Sequence, residues 1–104
     1  MKPIIYEVNL TGPCSIEGEV REWLLGHIDE MEEISGFLPE TEFLSEILNS
    51  DDSKNNFHFS VRYRLESESA FESYLKNQAE RMRSLIPPNL KQKLEFSRRL
   101  LRSL

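Results

Sequence analysis

Phe57-His58-Phe59-Ser60-Val61-Arg62-Tyr63-Arg64-Leu65 alternates without a break. Phe57, Phe59, Val61, Tyr63 and Leu65 share one parity, and His58, Ser60, Arg62 and Arg64 share the other. A strand sends successive side chains to opposite faces, so this stretch predicts a strand with one buried face and one open face. Residues 4–10 repeat the pattern in part, with Ile4, Tyr6, Val8 and Leu10 against Ile5, Glu7 and Asn9. Thr11-Gly12-Pro13 reads as a turn after that strand.

Between and beyond the two strands the period changes. Ile16, Val20, Trp23, Leu24, His27, Ile28 and Met31 follow at helical spacings, which predicts one apolar stripe on a helix capped by Ser15. Glu17 and Glu19 suit the helix dipole, and Ser35-Gly36 ends the element. Residues 37–48 fit a helix or a strand, of which Pro39 and Thr41 favour the strand, and residues 49–56 read as a polar hairpin loop. Ser67 or Ser69 caps a second helix, with Ser69-Ala70-Phe71-Glu72 fitting a capping box. Phe71, Tyr74, Leu75, Gln78, Ala79 and Met82 mark its inner stripe, and Pro87-Pro88 stops it. A short irregular or helical piece covers 88–92. The tail 93–104 fits either period; a strand that closes the sheet beside the first strand's neighbour leaves no orphan apolar tail. The order is then β-α-β-β-α-β, the ferredoxin-like unit. It is an α+β fold, a four-stranded antiparallel sheet with two helices on one face, in a single domain over residues 1–104.

Composition bounds the function. The chain has 104 residues, 38% hydrophobic and 30% charged, enough for one core. No apolar run is long enough to cross a membrane, and Glu7 interrupts the N-terminal apolar stretch before a signal peptide could form. A single cysteine, Cys14, excludes an internal disulfide and a four-cysteine zinc site, and points to the cytoplasm. Neither a phosphate loop, a dinucleotide-binding glycine pattern nor a nucleophile elbow is present. Residues 1–52 carry two basic against thirteen acidic groups, a net of −11, and residues 53–104 carry eleven against five, a net of +6. The basic residues are scattered, so the two halves are expected to pack against each other or against a partner's opposite half.

Several short stretches resemble a known family. They are Ile4-Ile5-Tyr6-Glu7-Val8, Glu22-Trp23-Leu24, His27-Ile28, Phe59-Ser60-Val61-Arg62-Tyr63-Arg64, Tyr74-Leu75 and Phe96-Ser97-Arg98-Arg99-Leu100-Leu101. Together they look like a small bacterial domain-of-unknown-function family in the dimeric α+β barrel superfamily. The chain departs from that pattern at Asp29, where a proline is usual, and in a shorter Trp23-to-His27 spacing. The resemblance implies a homodimer whose two sheets face each other as a barrel, with the helices outside. It implies no single activity, since relatives in the superfamily include cofactor-free monooxygenases, haem-degrading enzymes, isomerases and ligand-binding regulatory domains.

In a ferredoxin-like unit the first and third strands are neighbours. Glu7 and Asn9 therefore share the open face with His58, Ser60, Arg62 and Arg64. In a closed barrel that face lines the lumen and suits a small anionic or carbonyl-bearing molecule. The plainer reading of the same pattern is a solvated face with a Glu7–Arg62 cross-strand pair. His27 reads as a buried or interface histidine and Cys14 as a loop cysteine. No metal is expected, since no helical histidine pair or cysteine pair exists, and no cofactor is called for. Nucleic acid is disfavoured by the −5 net charge and by aromatic residues on the helix-facing side of the strand. The leading expectation is a small-molecule-binding homodimer. The rivals are a cofactor-independent monooxygenase or isomerase, and an interaction module without a ligand.

Overall fold

The strand at Asn56–Leu65, β3, runs antiparallel to β1 at Ile4–Pro13 with ten residue pairs from Ile4–Leu65 to Pro13–Asn56. Around this ladder the computed structural model, which describes residues 3–46 and 55–104, builds a four-stranded antiparallel sheet. The other strands are β2, Phe37–Ser45, and β4, Glu95–Arg102, and the order across the sheet is β2-β3-β1-β4. The helices are α1 at Glu17–Glu32, α2 at Glu68–Asn77, α3 at Ala79–Ser84 and the short α4 at Pro88–Lys91. This is the ferredoxin-like α+β fold expected from the alternating strands. The core lies between sheet and helices: Tyr6, Leu10, Phe59, Val61 and Tyr63 meet Val20, Leu24, Met31, Tyr74 and Met82.

Within the tail 93–104, Glu95–Arg102 is indeed a strand, but it lies directly beside β1 and not beside β1's neighbour. Phe96 opposes Leu10 and Leu100 opposes Tyr6 on the helix side.

Thr11-Gly12-Pro13 is not a turn. Gly12 pairs with Phe57 and Pro13 with Asn56, so β1 continues to Pro13. Glycine stands there because a Cβ would lie 2.8 Å from Leu94 Cδ2 and 3.1 Å from the Phe57 ring. The chain turns instead through a 3₁₀ turn at Cys14–Ile16. Ser15 is consequently one residue too early to cap, and Ile16 precedes α1 without any side-chain cap. Glu17 and Glu19 do occupy the first turn.

Helix α1 ends before Gly36, whose φ of 92° is readily adopted only by glycine. That residue also lies where a Cβ would come within 2.6 Å of Ala70 Cβ on α2. Strand β2 carries a bulge between Leu38 and Glu42, and Glu40 within it has φ 74°. Glu32, at the end of α1, accepts from Thr41 N at 3.1 Å and Thr41 Oγ1 at 2.6 Å, tying the bulge to the helix. Most of the expected polar loop 49–56 lies outside the described residues, and its last residue, Asn56, begins β3.

Ser67, not Ser69, caps the second helix, accepting from Ala70 N at 3.1 Å. The helix is interrupted at Gln78, with φ −127°, and this re-phases the stripe. Ala79 and Met82 are buried as expected, but Leu75 is 44% exposed. Trp23 also departs from expectation. It packs at the edge of the core, partly buried, with its ring stacked on His27 at 4.6 Å.

Phe59 is 2% exposed and lies in an edge-on contact with Phe43. Phe59→Ala is therefore expected to cost about 3–5 kcal/mol, and Trp23→Ala distinctly less. Urea titrations followed by circular dichroism measure both, and equal losses would mean that Trp23 is as deeply packed as Phe59.

Candidate functional site

Strand parity places Glu7, Asn9 and Thr11 of β1 on the face away from the helices, with Arg62, Ser60 and His58 opposite them on β3 and Arg64 opposite Ile5 on the same face. On the other side of β1, β4 brings Ser97 opposite Asn9 and Arg99 opposite Glu7. Glu7 thus stands between two arginines in adjacent strands.

The carboxylate is the hub of a hydrogen-bonded cluster. Arg99 Nε donates to Glu7 Oε1 at 2.7 Å, and its terminal nitrogen reaches Oε2 at 3.4 Å. Arg62 Nε donates to Oε2 at 3.0 Å, and Asn9 Nδ2 donates to Oε1 at 3.0 Å. Ser60 Oγ donates to Asn9 Oδ1 at 2.5 Å, which fixes the amide's orientation. Glu7 is only 2% exposed, whereas the Arg62 and Arg99 side chains are 39% and 61% exposed. The guanidinium groups lie over the carboxylate and separate it from water. Charge-assisted bonds from Arg99, then Asn9 and Arg62, hold its pKa down at about 2, outweighing the upward pull of burial.

All six residues expected on this face are there, but they form three groups. Glu7, Asn9, Ser60 and Arg62 belong to the hub. His58 lies near the start of β3, where its Nδ1 and Thr11 Oγ1 share a hydrogen bond of 3.0 Å. Arg64 leans toward Glu42 of β2 at 3.8 Å. Arg99 is the member that sequence reasoning missed. Its signal was the parity of Ser97 and Arg99 in a tail read as a strand. That alternation separates Arg99 from Arg98 and Arg102, which oppose Val8 and Ile4 on the helix side.

Above the hub lies an open hollow of about 720 Å³, lined by Glu7, Asn9, Ser60, Arg62, Ser97 and Arg99, with Leu44, Ser45 and Glu46 toward β2. Its donors are guanidinium and hydroxyl groups, a set suited to a carboxylate, phosphate or carbonyl oxygen. Among the described residues, no group of histidine, cysteine, aspartate and glutamate is arranged to hold a metal ion. No helix among them is long and apolar enough to cross a membrane.

Residues 3–104 match the family described as a domain of unknown function, DUF4286. The chain belongs to that family. The resemblance seen in the sequence, to a small family without an assigned activity, therefore holds across nearly the whole DUF4286 chain. No curated protein matches it. Solved structures of the same fold are numerous. A Bacillus cereus protein described as a candidate antibiotic biosynthesis monooxygenase shares 16% identity and a TM-score of 0.66, over 99% of this chain and 94% of that one. A candidate monooxygenase from Shewanella loihica shares 22% identity and a TM-score of 0.64, over 100% and 97% of the two chains. A dabb family protein with a ferredoxin-like fold from Mesorhizobium loti shares 16% identity and a TM-score of 0.65, over 99% of each chain. At these identities the likeness establishes the fold.

Glu7 yields a pH prediction. A carboxylate with a pKa lowered on folding contributes stability above its ordinary value of 4.5, and that contribution is lost as pH falls from 4.5 toward about 2. Denaturant melts of the parent and Glu7→Gln across that range should converge as pH falls. A constant gap between them would show that Glu7 is not held ionised by the cluster.

Proposed function

We propose that residues 1–104 act as one ferredoxin-like unit, which pairs its open sheet face with that of a second copy and holds a small anionic or carbonyl-bearing molecule in the lumen between them. The observation that carries this reading is the convergence of Arg62 and Arg99 on one carboxylate beneath a hollow. Together the three groups carry one net positive charge. Arg62 gives Glu7 its Nε–H, leaving its terminal nitrogens as donors for a further acceptor. Glu7 fixes the arginines in place before a ligand arrives, which lowers the ordering cost of binding. The bacterial proteins of the same fold and the single thiol, Cys14, support a bacterial, cytoplasmic setting.

A second reading is favoured by the descriptions of the Bacillus and Shewanella proteins. In it the same hollow, closed by the second copy's sheet, serves a cofactor-independent oxygenation or isomerisation, with the protein supplying orientation and exclusion of water.

Light scattering of the full chain at micromolar concentration is expected to give twice the 12.2 kDa chain mass. A 12.2 kDa species at both low and high salt would remove the paired-sheet arrangement. For the ligand, calorimetric titration with benzoate is expected to show binding that Arg62→Ala or Arg99→Ala weakens by about tenfold. Unchanged affinity in both variants would remove the anion-binding role of the hub. Oxygen uptake with phenolic substrates separates the oxygenase reading from simple binding.

A further inference from the structure

The opposite side of the sheet carries a second, chemically different cleft. It runs between β1, α1 and the α3 region, and its water-accessible space is about 30 Å³, room for roughly one water. Trp23, His27, Met31, Met82, Ile86 and Phe96 form its walls. Tyr6 and Tyr74 bring phenols to it, and Arg83 and Arg98 bring guanidinium groups.

The charges in this cleft do not balance. Among the described residues, Arg21, Arg62, Arg64, Arg99 and Arg102 each face a carboxylate. Arg83 instead donates to the Tyr6 hydroxyl at 3.4 Å, and its Nε is buried with no partner. Arg98 lies over the Phe96 ring, its guanidinium carbon 5.1 Å from the centroid. A buried donor without an acceptor is costly, and two cations beside aromatic walls create a site for a negative group. His27 adds no further positive charge, because burial holds its pKa down at about 4. The wall opposite α1 is formed by a short, separately bounded helix. The six-residue α3 is set off from α2 by the break at Gln78 and from α4 by Pro87.

We propose that this cleft is a binding site for an amphipathic anion, its acidic group between Arg83 and Arg98 near the Tyr6 hydroxyl and its apolar body against Trp23, Ile86 and Phe96. The ligand widens the cleft by displacing α3. The site is separated from the open-face hub by the sheet itself, so the two stand or fall independently.

Trp23, the sole tryptophan, lies in the wall and reports directly on occupancy. The full chain is titrated with 8-anilinonaphthalene-1-sulfonate while Trp23 emission is followed. Saturable quenching is expected, with binding at least about tenfold weaker in Arg83→Gln and also weakened in Arg98→Gln. Arg21→Gln, an exposed arginine paired with Glu17 and outside the cleft lining, should leave it unchanged. The uncharged N-phenyl-1-naphthylamine should bind at least about tenfold more weakly than the sulfonate. Circular dichroism melts confirm that each variant is folded, and the exposed Arg98→Gln keeps the test valid if Arg83→Gln is not. No saturable quenching of the parent overturns the proposal. So does equal affinity for the charged and uncharged probes, or affinity unaltered in the folded arginine variants.

Discussion

β1 and β3 pair residue for residue along ten positions, and the side-chain period of a strand is two. A slip of one residue would exchange the faces of one strand relative to the other. Phe57, Phe59, Val61, Tyr63 and Leu65, all buried, would then leave the helices, at a cost of about 1.5–3 kcal/mol for each large side chain exposed. Polar contacts select the same register. Glu7 meets Arg62, Asn9 meets Ser60 and Thr11 meets His58 only when Ile4 faces Leu65. Burial on one face and hydrogen bonding on the other thus specify a single pairing, and the helices and outer strands dock on the result.

Glu7 shows how a carboxylate can be almost fully covered and still remain ionised. Burial among apolar atoms would raise its pKa. Here the cover consists of two long arginine side chains whose own charged ends remain partly in water. The desolvation cost is therefore offset locally by charge-assisted bonds, and the net direction is downward. One consequence concerns β4, an edge strand held by a single ladder. Its Arg99 makes the 2.7 Å contact to Glu7, so the ion pair adds to the main-chain bonds that fix β4 on β1.

The parts of the fold most legible in the sequence are those where burial alone decides. β3 alternates strictly because each buried position meets the helix layer, and α1 shows a stripe because one side meets the sheet. Less legible were features set by contacts distant in the chain. Gly12 resembles a turn glycine, but its lack of a side chain accommodates Leu94 and Phe57. Leu75 resembled a core residue because nothing local marks Gln78 as the point where the helix re-phases. The hub was partly readable, since parity places Glu7 with Arg62. Arg99 required knowing both that the tail is a strand and that β1 is its neighbour. The helix-side cleft left almost no trace, because Arg83 and Arg98, far apart in the chain, come to one cleft only in the fold.

The charge asymmetry of the chain follows from the strand order. β1 belongs to the acidic half, yet it lies between β3 and β4, both from the basic half. The ion pairs joining Glu7 to Arg62 and Arg99, and Glu42 to Arg64, therefore cross between halves along the sheet. Acidic and basic segments interleave as the chain folds, and attraction between them favours the non-local β1–β3 and β1–β4 pairings over local alternatives. Within β4, alternation then divides the adjacent Arg98 and Arg99 between the two faces. Arg99 finds a carboxylate from β1, whereas Arg98, among the described residues, lies over the Phe96 ring, because the helix-facing side of β1 is devoted to the core. The same alternation that pairs Arg99 with a carboxylate on one face leaves Arg98 on the other, beside the helix-side cleft.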